Sequence, residues 1–153
     1  MKAINRRDLC AALSACVGMV AASAVQAQPH ELSAEPTLYR SQVFSLDRMP
    51  PRTMPNGGES WDILRGTLAT GEVIALHESM QPAGLAPNPP HTIQHSEFIF
   101  VREGTLLFEH DGKSEQVGAG GVIFVAPGTK HSARNVGDGP AVYLVVAVGG
   151  DTK

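Results

Sequence analysis

The feature that most limits what this chain can become is a train of short apolar runs cut by turn residues. Runs at residues 60–70, 72–80, 92–102, 105–110, 114–117, 122–125 and 141–148 show no helical period. Turn residues part them at Thr70-Gly71, Glu103-Gly104, Asp111-Gly112, residues 118–121, Pro127-Gly128 and residues 137–140. With residues 37–46 as a plausible first strand, about eight short strands punctuated in this way predict an all-β sandwich or barrel. Asp111-Gly112 between two alternating runs is a strong hairpin signal. Three prolines and Asn56-Gly57-Gly58 argue against helix or central strand in residues 47–58. Four prolines make residues 81–90 a stiff loop that delivers the chain to His91.

The apolar strand positions supply the expected core, including Leu106, Phe108, Ile123, Val125, Leu144 and Val146. Phe98, Ile99, Phe100 and Val101 are apolar on both faces of their strand. That pattern fits either a covered inner strand or a subunit interface, and it predicts a homodimer. Trp61 reads as a core residue.

The N-terminus has a separate task. Residues 1–7 are basic, residues 9–25 are small and apolar, and Val25-Gln26-Ala27 is a cleavage-type sequence, so residues 1–27 read as an export signal. Arg6-Arg7 ahead of the apolar stretch resembles a twin-arginine signal. The expected location is therefore periplasmic or extracellular. A second reading takes Leu13-Ser14-Ala15-Cys16 as a lipoprotein signal with Cys16 as the anchor. The apolar stretch is rich in Ala and Ser, which argues against a membrane span. Residues 28–36 form a short tether, and residues 37–150 the folded domain.

Both cysteines, Cys10 and Cys16, lie in the signal, so the exported domain has neither disulfide nor thiolate ligand to offer. Without residues 1–27 the balance moves from 12 Lys and Arg against 15 Asp and Glu to nine against fourteen, a net −5. No basic stripe accompanies it, which excludes nucleic acid as an expected partner.

The chemistry concentrates at Pro90 to Gly104. His91, His95 and Glu97 share odd parity, so in an extended segment all three face one way. Imidazole and carboxylate ligate Mn, Fe, Zn, Ni or Cu, and the carboxylate favours octahedral ions over a thiolate-type site. Downstream, the apolar strand at 122–125 runs into Pro127-Gly128, with His131 three residues after the glycine.

The two stretches together resemble the cupins, small jelly-roll β-barrels. His91 falls on the first histidine of the first cupin motif, Glu97 on its glutamate and Gly104 on its glycine. Gly120, Gly128, His131 and Asn135 fall on the second motif, and Ala126 replaces its first proline. The motif's second histidine falls on Ile93, which cannot bind a metal. The resemblance implies an all-β, single-domain jelly-roll barrel after the signal peptide. It also implies one divalent ion held by His91, Glu97 and His131, a facial triad with open positions. His95 is a candidate fourth ligand, or else an exposed histidine or one that hydrogen-bonds to a ligand. His77 can line the pocket, while His30 and His110 are assigned no role.

Two functions follow from the resemblance. The first is a metal-dependent oxygenase, or next an isomerase or lyase, acting on a small organic molecule, with no residue outside the ligand set marked as acid or base. The second is a metal-free barrel that binds a small ligand without turning it over. The twin-arginine reading supports loading of the metal before export.

Overall fold

The structure is a computed structural model describing residues 37–149. The export signal, the tether, Cys10, Cys16 and His30 lie outside the described residues. Eleven strands follow in order: β1 Thr37–Leu38, β2 Arg52–Thr53, β3 Glu59–Leu68, β4 Val73–Gln81, β5 His91–Thr92, β6 Ser96–Glu103, β7 Thr105–His110, β8 Lys113–Gly118, β9 Val122–Val125, β10 Lys130–Asn135 and β11 Ala141–Val148. They make a seven-stranded sheet in the order β1-β3-β4-β11-β6-β9, with β2 on β3, and a four-stranded sheet in the order β5-β10-β7-β8. Every pairing is antiparallel except β1 with β3. Among the described residues no helix is long and apolar enough to cross a membrane.

Period-two alternation places the core. Ile99 and Val101 on β6, Ile123 and Val125 on β9, and Tyr143 and Val145 on β11 join Leu106 and Phe108 on β7 in one buried cluster. Because the cluster draws on both sheets, their inner faces pack against each other. Leu144 and Val146, expected in the core, lie half-buried on the outer face of β11 instead. The strand is apolar on both faces, so pattern alone could not choose its inner side. The outer face also exposes Phe98, Phe100, Val122 and Phe124, and Trp61 sits half-buried opposite Glu78 on that face rather than in the core.

Three elements differ from the sequence reading. Residues 37–46 contribute only the two-residue β1, followed by irregular chain and a short 3-10 turn at Leu46–Arg48. Val43 is 92% exposed, so this segment has nothing to bury that would hold a full strand. Residues 92–102 are not one strand: β5 pairs with β10 in the small sheet and β6 with β11 and β9 in the large one. The chain changes sheets at residues 93–95. Lastly, β10 had no apolar signature, because its sequence is Lys-His-Ser-Ala-Arg-Asn. Pairing on both sides, with β5 and with β7, makes it a strand.

Three devices lock the frame. At the β6–β7 turn Gly104 has φ 75°, and a Cβ there would stand 2.5 Å from the Pro140 carbonyl oxygen, so only glycine fits. The β7–β8 turn has positive φ at both Asp111 (46°) and Gly112 (74°), as a type I′ hairpin requires. Across the sheets, Asn135 N–H donates to Gln81 Oε1 (3.0 Å) and Asn135 Nδ2 to the Gln81 carbonyl (2.9 Å) and the Gly139 carbonyl (2.7 Å). Asn135 Oδ1 accepts from Gly137 N–H at 2.9 Å. The asparagine of the second motif is thus the bolt between β4, β10 and the turn before β11.

Candidate metal centre

Strand pairing brings the site together. His131 on β10 lies directly opposite His91 on β5, so both side chains leave the small sheet on one face. Their ring centroids are 4.5 Å apart. Glu97 comes from the inner face of β6, opposite Val125. Its Oε2 lies 3.8 Å from His131 Nε2, and its Oε1 accepts a hydrogen bond from His95 Nε2 at 3.2 Å. The Gly128 N–H donates to the Ile93 carbonyl (2.8 Å), tying the turn of the second motif to the segment between His91 and Glu97.

The convergence of the first stretch therefore has a different cause from shared parity on one strand. Odd positions 93 to 101 do face inward, but His91 reaches the site from the other sheet, where its side chain is exposed at the mouth. Ile93 points into the core cluster. His95 is buried, bonds to Glu97 and is absent from the cavity wall.

The imidazole tautomers are set by backbone carbonyls, which only accept. His131 Nδ1–H donates to the Thr129 carbonyl at 3.2 Å and His91 Nδ1–H to the Pro89 carbonyl at 3.3 Å. Each Nε2 then carries its lone pair. Burial holds the His131 pKa below its ordinary value, against the opposing hydrogen bond to Thr129, and the nearby His91 adds to the lowering. A neutral imidazole whose second nitrogen is tied to a carbonyl is the usual state of a metal-binding histidine.

A cavity of about 160 Å³ opens in front of these groups. Arg52, Met54, Ser60, His77, Ser79, Asn88, Ile99, Ser132 and Tyr143 share its wall with His91, Glu97 and His131. His77, on β4, is held below its ordinary pKa by burial, while the Glu97 charge acts in the opposite direction. Tyr143 accepts a hydrogen bond from Gln81 Nε2 at 2.8 Å, and burial pushes its phenol above its ordinary pKa, so it stays a neutral O–H. His77 lines the cavity as the sequence suggested, and Tyr143 is a lining residue that sequence reasoning did not name. One signal was available: Tyr143 is the single polar tip in the apolar strand Ala141–Val148, and a buried tyrosine needs a partner. His110, opposite His131 on β7, turns its ring to Asp111 Oδ2 (3.2 Å) and Glu115 Oε2 (2.8 Å) at the surface.

The donor set suits a divalent ion. The 3.8 Å between His131 Nε2 and Glu97 Oε2 is less than two ligand bonds of about 2.1 Å each, so one ion can touch both. Among the described residues, no three His, Cys, Asp or Glu side chains stand close enough together to hold a metal ion as they are placed. A third bond needs the exposed His91 ring to turn inward from its place beside His131.

Comparison with known proteins agrees with this architecture. Residues 76–147 match the family model of the cupin domain, a span that holds His77, His91, His95, Glu97, His131 and Tyr143. A search of curated proteins finds no match. Among solved structures, a predicted oxalate decarboxylase from Thermotoga maritima shares 21% identity at TM-score 0.59, covering 70% of this chain and 98% of its own. An RmlC-like cupin from Shewanella frigidimarina shares 19% at TM-score 0.60, covering 73% and 95%. The polyketide cyclase RemF from Streptomyces resistomycificus shares 18% at TM-score 0.60, covering 74% and 83%. At these identities the likeness is one of fold, and the fold is the cupin jelly roll.

Proposed function

Taking residues 76–147 as a cupin domain, we propose that the barrel holds one divalent metal ion through His91, Glu97 and His131 and acts on a small organic molecule in the adjoining cavity. The observation that carries this reading is the approach of His131 Nε2 to Glu97 Oε2 with both partners' other atoms already engaged, by the Thr129 carbonyl and by His95. A bound divalent ion would supply Lewis acidity or an oxygen-binding centre. Oxygenase chemistry is the leading class, with isomerase or lyase chemistry next. Neighbours of the same fold that are a polyketide cyclase and a predicted oxalate decarboxylase support chemistry on small molecules.

The chain's own residues have definable parts. His95 orients Glu97. Tyr143 and Ser79 present hydroxyls to a substrate oxygen, and His77, kept neutral by burial, can accept a proton. Met54, Ile99 and Val145 line the apolar part of the wall and limit water. We further propose that the protein is exported before it works and pairs as a homodimer through the outer face of β6 and β9.

Elemental analysis of protein refolded with Mn, Fe, Zn, Ni or Cu tests the reading, with His131→Ala as control. Close to one equivalent of metal, lost in the variant, supports it. Ile93 favours a second reading, a metal-free binding barrel, because it sits in the core cluster where the family pattern has a histidine. That reading gains if every ion fails to bind.

A further inference from the structure

We propose that the cavity selects a compact organic anion and that Arg52 is the residue that reads its carboxylate. The proposal rests on the metal reading for its charge balance. Apart from the histidines, the charged side chains of the cavity wall are Arg52 and Glu97, which cancel. A divalent ion on Glu97 leaves the cavity with two surplus positive charges, and a dicarboxylate ligand restores the balance.

Arg52 is placed for this task. It sits on β2 opposite Ser60, a buried cavity residue of β3, so the short edge strand carries the guanidinium to the rim. Its Nη2 lies 3.5 Å from Asp62 Oδ1, but the two side chains are 63% and 75% exposed. A contact that wet contributes little and leaves most of the five guanidinium donors for a second acceptor. The Arg52 charge also reaches inward, opposing protonation of His77 on β4, two strands away. Asn88 adds an amide to the same rim. Planar fork geometry matches a carboxylate with two parallel hydrogen bonds.

The deep end is built differently. Tyr143 and Ser79 offer uncharged hydroxyls beside apolar Val145 and Ile99. A ligand that fits both ends carries one carboxylate for Arg52 and, on a short carbon stem, a second whose oxygens meet the hydroxyls. The volume of about 160 Å³ keeps that ligand small.

The test is calorimetric titration of the metal-loaded protein with malonate, succinate, malonamide and inorganic phosphate, beside Arg52→Gln. Arg52 is exposed, so the variant folds. Malonate or succinate should bind, malonamide and phosphate should not compete, and Arg52→Gln should weaken carboxylate binding at least about tenfold while taking up as much metal as the parent. Equal binding of malonamide or phosphate, no binding of either carboxylate, or an unaffected variant would overturn the proposal. If the parent takes up no ion, the metal reading fails by itself. The same titration of metal-free protein then decides the anion site: Arg52-dependent malonate binding sustains it, and none overturns it.

Discussion

At the residue scale the account turns on which atoms of four side chains are free to bind and which are already engaged. Glu97 has one oxygen on His95 and the other facing His131. Removing His95 should therefore leave the site's composition intact and disorder its carboxylate. His95→Ala is expected to weaken metal affinity by about ten- to a hundredfold without abolishing it, whereas His131→Ala abolishes binding, as metal titration would show. Ile93→His gives the complementary test. A buried imidazole in place of a core isoleucine should cost the metal-free protein about 2 kcal/mol in chemical denaturation. If the family's second histidine position still faces the ion, the same change should tighten metal binding. An unchanged affinity would show that the ion, if any, lies away from residue 93.

Protonation belongs to the same scale. Burial holds His77 and His131 below the ordinary histidine value of 6.5 in the folded chain. Between that value and the lower folded ones the unfolded chain binds more protons, so folding stability rises with pH there. The contribution of these two histidines to the metal-free protein is complete above about pH 6.5 and is lost as pH falls through it. His110 opposes this, because the Glu115 and Asp111 carboxylates raise it; its contribution is present at low pH and lost as pH rises through its folded value. Denaturation of metal-free protein at about pH 5.5 and about pH 8 reads the sum, and His77→Gln should flatten the loss on the acid side.

At the scale of elements, the site depends on a strand with almost no sequence signal. β7, β9 and β11 announce themselves by apolar runs, and their bounds follow the pattern. β10 is polar along its length and exists because β5 and β7 flank it. His131 was legible as a site residue only through the Pro127-Gly128 turn and the family motif, not through its strand. The parity argument for His91, His95 and Glu97 named residues that do gather, for a reason it did not contain: the chain crosses between sheets at residues 93–95, and His91 returns to the site by pairing with β10. Tyr143 carries a polar-tip signal but its face is not legible, because both faces of β11 are otherwise equally apolar, and Arg52 is out of reach because β2 is two residues long. Local devices make testable points here. Gly104→Ala forces a Cβ into the Pro140 carbonyl at a positive φ and should cost more than about 2 kcal/mol in thermal or chemical unfolding. Asn135→Ala strips partners from Gln81, Gly137 and Gly139 and should cost about 3 kcal/mol, with His131 losing its placement at the same time.

For the whole molecule, the two-faced strands need an explanation that the barrel interior does not supply. Phe98 and Phe124 contact each other on the outer face at 5.2 Å between ring centroids, and with Phe100 and Val122 they are 37–55% exposed. A row of this kind fits a second copy of the chain laid against it. Light scattering should show a dimer for the parent chain and a monomer for Phe124→Asp; a monomeric parent would remove the idea and leave the outer face without a function. The dimer is secondary to the metal. The most direct measurement is elemental analysis of the native protein, purified without chelator. The account predicts about one divalent ion per chain, retained through dialysis and lost in His131→Ala. Less than about a tenth of an ion per chain, both as isolated and after refolding with each of the five metals, would contradict it.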